Sequence, residues 1–344
     1  MYEQLACLKT RTGFTLDAAI QSGLCNPDSH IGIYAGDAEA YSLFAPILDP
    51  IIHAYHAVEE PFNHRPGLDP ILLAPLDPDK NFIVSSRIRV ARNLKGISFP
   101  CHISAQERRR VEILVSQALR EMPREIDGKY LSFKDLDRSQ MQRFLSEKLA
   151  FPKGDRFQDA AGINRNFPDS RGFFSSQNKL FMVWVNEEDH LRIISMESSS
   201  DISGVFNRLL LGLNHLETRL GFAVDEKYGF LTSCPTNIGT AMRAGVHICL
   251  RKLEKNQELL NHLANQHHLQ IRGTCGEKTS VDGAIFDVSN KQRLGIPESR
   301  VLRNLHTGLA AIIQAEKNLQ QGFIGDDIRS IGDPDGFKVA GCTG

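Results

Sequence analysis

The stretch LFMVWVNEEDHLRIISM, residues 180–196, is the part of the sequence that decides the fold class. Two apolar segments, Leu180–Val185 and Leu191–Met196, lie on either side of the acidic turn NEEDH. Both segments have the length and the β-branched and aromatic content of strands, and a short polar turn joins neighbouring strands antiparallel. The stretch therefore predicts an antiparallel hairpin.

Further strands and helices surround this hairpin in mixed order. Strands are predicted at Phe82–Val90, Tyr228–Ser233, Val246–Leu250 and Ala284–Val288. Helices are predicted after the capping box Ser104–Glu107, between Asp201 and Gly221, and at Glu298–Leu319. Because strands and helices do not alternate regularly, the pattern favours an α+β fold with a mostly antiparallel sheet flanked by helices.

The N-terminal part of the chain differs in character from the remainder. Candidate helices occur there at Leu16–Ser22 and Ala38–Leu48. Residues 57–80 then contain five prolines, which break helices and cannot donate hydrogen bonds within a sheet. We interpret this stretch as a linker, which predicts a small all-α domain at residues 1–75 and a larger α+β domain at residues 76–344.

Composition argues against several classes of protein. The net charge of -1 over 344 residues does not indicate binding to nucleic acid or to a membrane surface. The seven cysteines are odd in number and include no C-x-x-C pair, which argues against a disulfide framework or a zinc ribbon. No signal-like segment opens the sequence, and no apolar run has the length of a membrane span. These features predict a cytoplasmic protein.

Five arginines lie on predicted strands or at their ends: Arg87, Arg89, Arg192, Arg243 and Arg272. Alternation along a strand puts Arg87 and Arg89 on one face and the apolar Ile88 and Val90 on the other. Guanidinium groups donate paired hydrogen bonds that fit phosphate oxygens, so several at one place would clamp a polyphosphate. The alternative is a scatter of surface arginines with acidic partners. No P-loop motif occurs, so a bound nucleotide would depend on side chains.

Carboxylates are candidate functional groups at two places. Glu187, Glu188 and Asp189 lie in the NEEDH turn, which is either a solvated turn or a set of partners for a cation or a metal. Glu277 lies in the segment GTCGEKT, which is either a surface loop or a lid that brings a carboxylate to a substrate.

Two further candidates are Cys234, in the segment SCPTN, and His247, on a predicted strand. A lone cysteine is most often buried and inert, whereas a thiol beside arginines has a lowered pKa and ionises to a thiolate. A histidine between apolar strand residues is more often packed and hydrogen-bonded than a catalytic base.

Taken together, these motifs resemble the phosphagen (guanidino) kinase family, closest to its arginine kinases, from about Thr12 to Leu319. The strongest matches are VWVNEEDHLRIISM, CPTNIGTAMRAGVHI, RGTCGEKT and FDVSNKQRLG. The resemblance implies a small helical N-terminal domain before a larger domain with an antiparallel sheet. It also implies reversible transfer of the γ-phosphoryl group of Mg-ATP to a guanidino nitrogen, with ATP or ADP and Mg²⁺ as cofactors.

The resemblance implies roles for individual residues in the nucleotide site. It implies that the ATP phosphates are clamped by Arg87, Arg89, Arg192, Arg243 and Arg272. It implies that the rest of the nucleotide site is lined by Ser85, His247, Asp287 and Arg293. No residue is assigned as a metal ligand.

The resemblance also implies a site for the guanidino substrate. The guanidinium would be held by Glu188, Glu277 and Cys234, with Glu188 the stronger candidate for the base. The carboxylate and amine end of the substrate would be held by the loop residues Ser29, His30, Ile31, Gly32 and Tyr34. Asp28 and Arg156 match a pair that latches the domains shut.

The short loop, Tyr34 and Glu277 favour L-arginine over creatine as the substrate. The alternatives are another guanidino compound such as taurocyamine, a catalytically weak binding homologue, and a kinase that phosphorylates arginine side chains in proteins. The sequence departs from the family pattern at His30, Lys148, Phe167 and 175–177, which bears on affinity more than on the type of reaction. A monomer or a homodimer that binds neither nucleic acid nor membrane is expected.

Overall fold

The computed structural model describes residues 2–58, 63–273 and 284–323. The strands are β1 Ile83–Arg92, β2 Gly128–Ser132, β3 Gly172–Ser176, β4 Phe181–Val185, β5 Leu191–Glu197, β6 Val224–Asp225, β7 Gly229–Phe230, β8 Met242–Cys249, β9 Leu269–Gly273 and β10 Ile285–Asn290. The α-helices are α1 Tyr2–Ala6, α2 Leu16–Cys25, α3 Glu39–Leu43, α4 Ala45–His56, α5 Ala105–Leu119, α6 Arg138–Ser146, α7 Arg156–Ala160, α8 Ile202–Leu220, α9 Gln257–Gln266 and α10 Glu298–Gln320.

Eight of these strands form one antiparallel sheet in the order β2-β3-β4-β5-β1-β8-β10-β9. The predicted hairpin is confirmed as β4 and β5, in which Val185 lies opposite Leu191. The α+β fold class, with helices flanking a mostly antiparallel sheet, is confirmed as well. The long strand β1 lies in the middle of the sheet, so β5 and β8 flank it along its two edges.

The strand predicted at Tyr228–Ser233 is wrong for most of its length. Only Gly229–Phe230 is a strand, and it pairs with β6 outside the main sheet. Gly229 has a φ of +68°, which turns the chain, and the flanking Tyr228 and Leu231 are buried against the N-terminal helices. Tyr228 and Leu231 therefore fill the core shared with the N-terminal helices, whereas Phe230 joins the core of the main sheet. The sequence does not predict strands β2, β3, β6 and β9.

Across β1, β8 and β10 the sheet has one apolar and one polar face, whereas on β3–β5 the second face carries a smaller core that includes Phe173, Met182 and Ile194. The side chains of Ile88, Val90 and their neighbours on adjacent strands join a large core in which α8 packs against β1 and β5 and α10 against β8 and β10. Helix α8 begins where the Asp201 carboxylate accepts a hydrogen bond from the Gly204 amide at 2.8 Å, and it ends at Gly221, whose φ is +64°. Helices cover the apolar face, which leaves Arg87 and Arg89 on the opposite one.

Helix α8 contains a glycine, Gly212, at its contact with the sheet. A Cβ atom there would lie 2.3 Å from a ring carbon of Phe181, which is fully buried on β4. We expect Gly212→Ala to lower the free energy of unfolding by about 1–3 kcal/mol, because overpacking outweighs the better helix propensity of alanine. Urea unfolding monitored by circular dichroism measures this. Asn214→Ala, at an exposed position of the same helix, is the matched control, and equal stability of the two variants would contradict the packing argument.

The N-terminal helices α1–α4 share a second core with parts of the larger domain. Tyr41, Phe44 and Ile33 pack there with Phe99 and Ile238. The predicted helix Ala38–Leu48 is interrupted at Phe44, after which Pro46 lies in the first turn of α4. No helix or strand occurs between residues 63 and 82, where the linker is predicted. The domain boundary after residue 75 stays a prediction.

No helix in the described part of the chain is both long enough and apolar enough to cross a membrane.

Candidate active site

The polar face of the sheet carries most of the residues predicted to bind nucleotide. Across β1, β8 and β10, Ser85 lies opposite His247, which lies opposite Asp287, and Asp287 lies opposite Arg272 on β9. Further along β1, Arg87 and then Arg89 follow Ser85 on the same face. Directly opposed residues of antiparallel strands point to the same face. The sheet register thus gathers residues that are far apart in the sequence.

Arg89 lies opposite Arg243 on the neighbouring strand, and Ala91 lies opposite Arg192. A cavity on this face is lined by Ser85, Arg87, Arg89, Arg243, Gly245, Val246, His247 and Asp287. Gly245 has no side chain to fill the space between the arginines. The structure therefore brings four of the five predicted clamp arginines to one surface, and Arg272 joins them through its pairing with Asp287.

The arginines of this face repel one another. Burial, together with the charges of Arg192 and Arg243, lowers the pKa of Arg87 to about 10. Burial and the neighbouring arginines also hold the pKa of Arg89 well below its ordinary value. Arg89 makes no hydrogen bond or ion pair within residues 2–58, 63–273 and 284–323, and the Nε atom of Arg87 is buried without a partner among them. A bound polyanion would relieve this repulsion, so the face has the electrostatics of a phosphate site.

Other residues predicted for the nucleotide site hold the arginines in place. Arg243 donates a hydrogen bond to Asp287 Oδ2 at 2.6 Å, and Ser85 Oγ lies 3.2 Å from His247 Nδ1. Burial lowers the pKa of His247, so the imidazole is neutral at pH 7. Arg293 donates from Nη1 to the backbone oxygen of Thr236 at 2.7 Å.

The NEEDH turn is buried and is not a solvated hairpin turn. Asn186, with a φ of +58°, donates hydrogen bonds from Nδ2 to two backbone oxygens, those of Ser170 at 2.7 Å and Arg108 at 3.1 Å. The carboxylates of Glu187 and Glu188 both lie on Arg192 Nη2, at 2.8 and 3.1 Å. The turn therefore forms a fixed platform at the edge of the arginine face.

Glu188 is a carboxyl group whose pKa is raised towards neutrality. Its side chain is 14% exposed, and this burial raises its pKa to about 7, against the opposing charge of Arg192. The negative charges of Glu187 and Asp189 contribute to this raised pKa. A carboxyl group with a pKa near 7 can accept or return a proton at neutral pH.

Asp189 connects this platform to the segment that contains Cys234. Its Oδ1 atom accepts hydrogen bonds from Asn93 Nδ2 and from the backbone N–H of Ser233, both at 2.7 Å. Ser233 precedes Cys234, so the carboxylate next to Glu188 fixes where the thiol lies. Sequence reasoning offers Asp189 only as a partner for a cation or metal and misses Asn93 and Ser233. Only contacts between distant segments identify these residues.

His190 holds the same turn in place through two hydrogen bonds to another segment of the chain. Its Nδ1 atom accepts from the Leu94 amide at 3.0 Å, so Nε2 carries the proton and donates to the Ser98 oxygen at 2.9 Å. Burial lowers the pKa of His190 to about 4. The ring is therefore neutral and structural, in a position for which the sequence carries no signal.

Cys234 lies in the cleft as a protonated thiol. Burial, together with the charge of Glu188, raises its pKa to about 12, and the hydrogen bond with Thr236 Oγ1, at 3.1 Å, opposes this shift. Burial and the nearby Glu188 carboxylate therefore disfavour the thiolate alternative in this arrangement.

The loop at residues 26–34 approaches the sheet from the N-terminal helices. Gly32, with a φ of +64°, packs against Gly23 of α2 so closely that a Cβ on Gly23 would lie 2.8 Å from the Gly32 oxygen. The Gly32 amide donates to Ser29 Oγ at 3.1 Å, and the Ala35 amide donates to the Ser233 oxygen at 2.8 Å. The loop is thereby tied to the segment that precedes Cys234.

A single cleft joins this loop to the acidic turn and the arginine face. It is lined on the loop side by Ser29, His30, Ile31, Gly32 and Tyr34 and on the sheet side by Arg89, Glu188, Cys234, Arg243, Arg272 and Arg293. Asp28 forms an ion pair with Arg156, as the predicted latch requires. Glu277 lies outside the described residues.

Comparison with known proteins places this architecture in a family. The model of the ATP:guanido phosphotransferase N-terminal domain matches residues 1–53, and that of the C-terminal catalytic domain matches residues 110–319. An arginine kinase of Eriocheir sinensis is 42% identical over 324 residues, which cover 93% of this chain and 90% of that protein. The crystal structure of a lombricine kinase matches with a TM-score of 0.90 and 31% identity, over 95% of this chain and 92% of that one. The substrate-free duplicated taurocyamine kinase from Schistosoma mansoni matches with a TM-score of 0.87 and 31% identity, over 93% of this chain and 46% of that one. The chain belongs to the ATP:guanido phosphotransferase family.

Proposed function

We propose that this protein transfers the γ-phosphoryl group of Mg-ATP reversibly to the guanidino group of L-arginine, giving phosphoarginine and ADP. The observation that carries the proposal is the cleft that joins the loop at residues 29–34, the Glu188 carboxylate and the arginine face. One molecule with a guanidinium at one end and an amino-acid group at the other would span the first two, and the ATP phosphates would occupy the third.

In the proposed reaction, a guanidino nitrogen attacks the γ-phosphorus, and the bond between that phosphorus and the bridging oxygen of ADP breaks. Glu188 takes the proton that leaves the guanidinium and returns it in the reverse direction, which its pKa of about 7 permits. Arg87, Arg89 and Arg243 stabilise the charge on the phosphoryl oxygens, which is the main catalytic requirement of a loose phosphoryl-transfer transition state.

Magnesium enters the proposal as part of the nucleotide substrate. Among the residues that the structure describes, no group of three or more histidine, cysteine, aspartate or glutamate side chains could hold a metal ion. Mg²⁺ commonly binds through substrate phosphates and keeps several waters, so this donor set fits a metal delivered as Mg-ATP. When bound, the ion neutralises phosphate charge that the arginines alone do not balance.

The arginine end of the substrate would bind at the loop. The backbone N–H groups of His30 and Ile31 donate no hydrogen bond within the described residues, so both are available for a substrate carboxylate. The relative named arginine kinase supports L-arginine. Lombricine and taurocyamine are the competing substrates, because solved structures of kinases with those names share the fold. Glu277 remains a proposed second carboxylate at the guanidinium.

A substrate panel tests the proposal. The enzyme is mixed with Mg-ATP and, separately, L-arginine, lombricine, taurocyamine and creatine, and ADP release is followed by a coupled assay. We expect kcat/KM to be highest for L-arginine. A higher kcat/KM for lombricine or taurocyamine would mean that this compound, and not L-arginine, is the substrate of the same reaction. The absence of guanidine-dependent ADP release would overturn the proposed function.

The five cysteines in the described part of the chain are free thiols, which supports the further proposal that the protein works in the cytoplasm. We propose small-molecule partners only, with a monomer or a homodimer as the working unit.

A further inference from the structure

The short helix α7 forms part of the wall of the substrate cleft, beside the loop at residues 29–34. Asp155, Phe157 and Gln158 line the same cleft as Tyr34 and Glu188. None of these three residues has a role in the function proposed above. Among the described residues that line the cleft, carboxylates occur only at Asp155 and Glu188.

Contacts with the N-terminal helices fix the position of α7. Ser22 Oγ donates to the Phe157 oxygen at 2.8 Å, and Arg156 donates from Nη1 to Asn26 Oδ1 at 3.0 Å and pairs with Asp28. The same segment of chain, residues 22–34, thus carries the substrate loop and holds α7. These contacts fix Asp155 relative to the part of the cleft that would bind the amino-acid end of the substrate.

Within the described residues, only one of the two oxygens of the Asp155 carboxylate accepts a hydrogen bond. Oδ1 accepts the Gln158 amide at 2.9 Å and so begins α7. Within residues 2–58, 63–273 and 284–323, Oδ2 accepts no hydrogen bond, and the adjacent Arg156 is engaged by Asp28. Glu188, in contrast, is paired with Arg192. The negative charge of Asp155 also reaches the Tyr34 hydroxyl, whose pKa is raised by burial and by nearby acidic groups that include Asp155.

We propose that the Asp155 carboxylate binds the α-ammonium group of the substrate, which makes it a determinant of specificity for guanidino compounds that are α-amino acids. A charged hydrogen bond from an ammonium to a carboxylate is favourable, and a substrate without the ammonium would leave Asp155 with water only. The inference rests on the proposed function, because it assigns one more contact to the substrate of that reaction.

The test compares two substrates that differ only in the α-amino group, L-arginine and 5-guanidinopentanoate, with Mg-ATP as phosphoryl donor. Asp155→Asn removes the charge but keeps the cap of α7, since asparagine is an equally good N-cap residue. We expect the KM for L-arginine to rise about tenfold, as loss of one charged hydrogen bond predicts, while kcat stays within about twofold. The KM for 5-guanidinopentanoate should not change.

Asp159→Asn is the matched control. Asp159 lies on the same helix and is exposed, but it pairs with Lys153 and does not line the cleft. We expect this variant to keep both KM values of the wild type.

Two results for Asp155→Asn would overturn the inference and leave the proposed function intact. One is an unchanged KM for L-arginine. The other is an equal rise for both substrates, which would mean a general effect on the loop. A wild-type enzyme that phosphorylates neither compound would instead overturn the proposed function, and this inference with it.

Discussion

Replacing Arg243 with alanine is expected to lower kcat for phosphoryl transfer by about 10²–10³-fold, which corresponds to about 2.7–4 kcal/mol of transition-state stabilisation. Arg243 lies opposite Arg89 at the centre of the arginine face and lines both the phosphate cavity and the substrate cleft. No other clamp arginine that the structure describes, apart from Arg89, lines both. Its guanidinium is therefore placed where the transferred phosphoryl group would pass between ATP and the guanidino nitrogen. Steady-state kinetics with both substrates varied measures the loss.

Two controls separate a catalytic loss from a loss of structure. Removal of Arg243 relieves the repulsion that lowers the pKa values of Arg87 and Arg89 but also takes a partner from Asp287, so retention of a cooperative thermal transition shows that the loss of kcat is catalytic. Arg219→Ala removes an exposed arginine that pairs with Glu121, a kind of surface pair that contributes little, and should keep the wild-type kcat. A kcat for Arg243→Ala within a few-fold of the wild-type value would remove this residue from the catalytic machinery.

The second large effect is expected at Glu188, where Glu188→Gln should lower kcat by about 10²–10⁴-fold, the contribution of a positioned general base. Glutamine keeps the shape and a hydrogen-bonding oxygen for Arg192 but cannot take a proton. Glu187 remains on Arg192 Nη2, so the turn should keep its structure. The neighbouring Glu187→Gln is the matched control and should cost much less, because Glu187 does not line the cleft.

The pH dependence follows from the pKa of Glu188. For the wild type, kcat/KM in the direction of phosphoarginine formation should fall about tenfold per pH unit below about pH 7, where the carboxylate becomes protonated. Glu188→Gln should lack this limb. A wild-type profile that stays flat down to pH 5 would contradict the role of Glu188 as the base.

Stability should change with pH in the opposite sense. The folded-state pKa of Glu188 lies above its ordinary value of 4.5, so the folded protein holds this proton more tightly than the unfolded chain does. The stabilisation that the protonated Glu188 contributes is fully present below about pH 4.5. It is lost as the pH rises through about 7. Compared with Glu188→Gln, the wild type should therefore lose thermal stability across this window.

The sequence predicts the parts of the site that depend on periodicity within one segment. The alternation of Arg87 and Arg89 with Ile88 and Val90 correctly indicates a strand with one charged and one apolar face. The hairpin at residues 180–196 is likewise predicted from two apolar segments around a polar turn. Both features are local, so one segment of sequence is sufficient to specify them.

Contacts between distant segments cannot be predicted from the periodicity of either segment. The hydrogen bond from the Ser233 amide to Asp189 joins residues 44 positions apart, and no pattern in either segment indicates it. The segment Tyr228–Ser233 resembles a strand because it is apolar, but Tyr228 and Leu231 are buried in the core shared with the N-terminal helices. The raised pKa of Cys234 depends on burial and on the approach of Glu188, and neither is visible in the segment SCPTN.

The most direct test of the proposed reaction is ³¹P NMR of the enzyme with Mg-ATP and L-arginine. A phosphoryl group on nitrogen has its own resonance, distinct from those of ATP, ADP and inorganic phosphate. We predict that this resonance grows as the γ-phosphate signal of ATP falls, with one ADP formed per phosphoarginine, and that added ADP reverses both changes. Folded enzyme that leaves ATP intact in the presence of arginine, or that releases only inorganic phosphate, would contradict the proposed reaction.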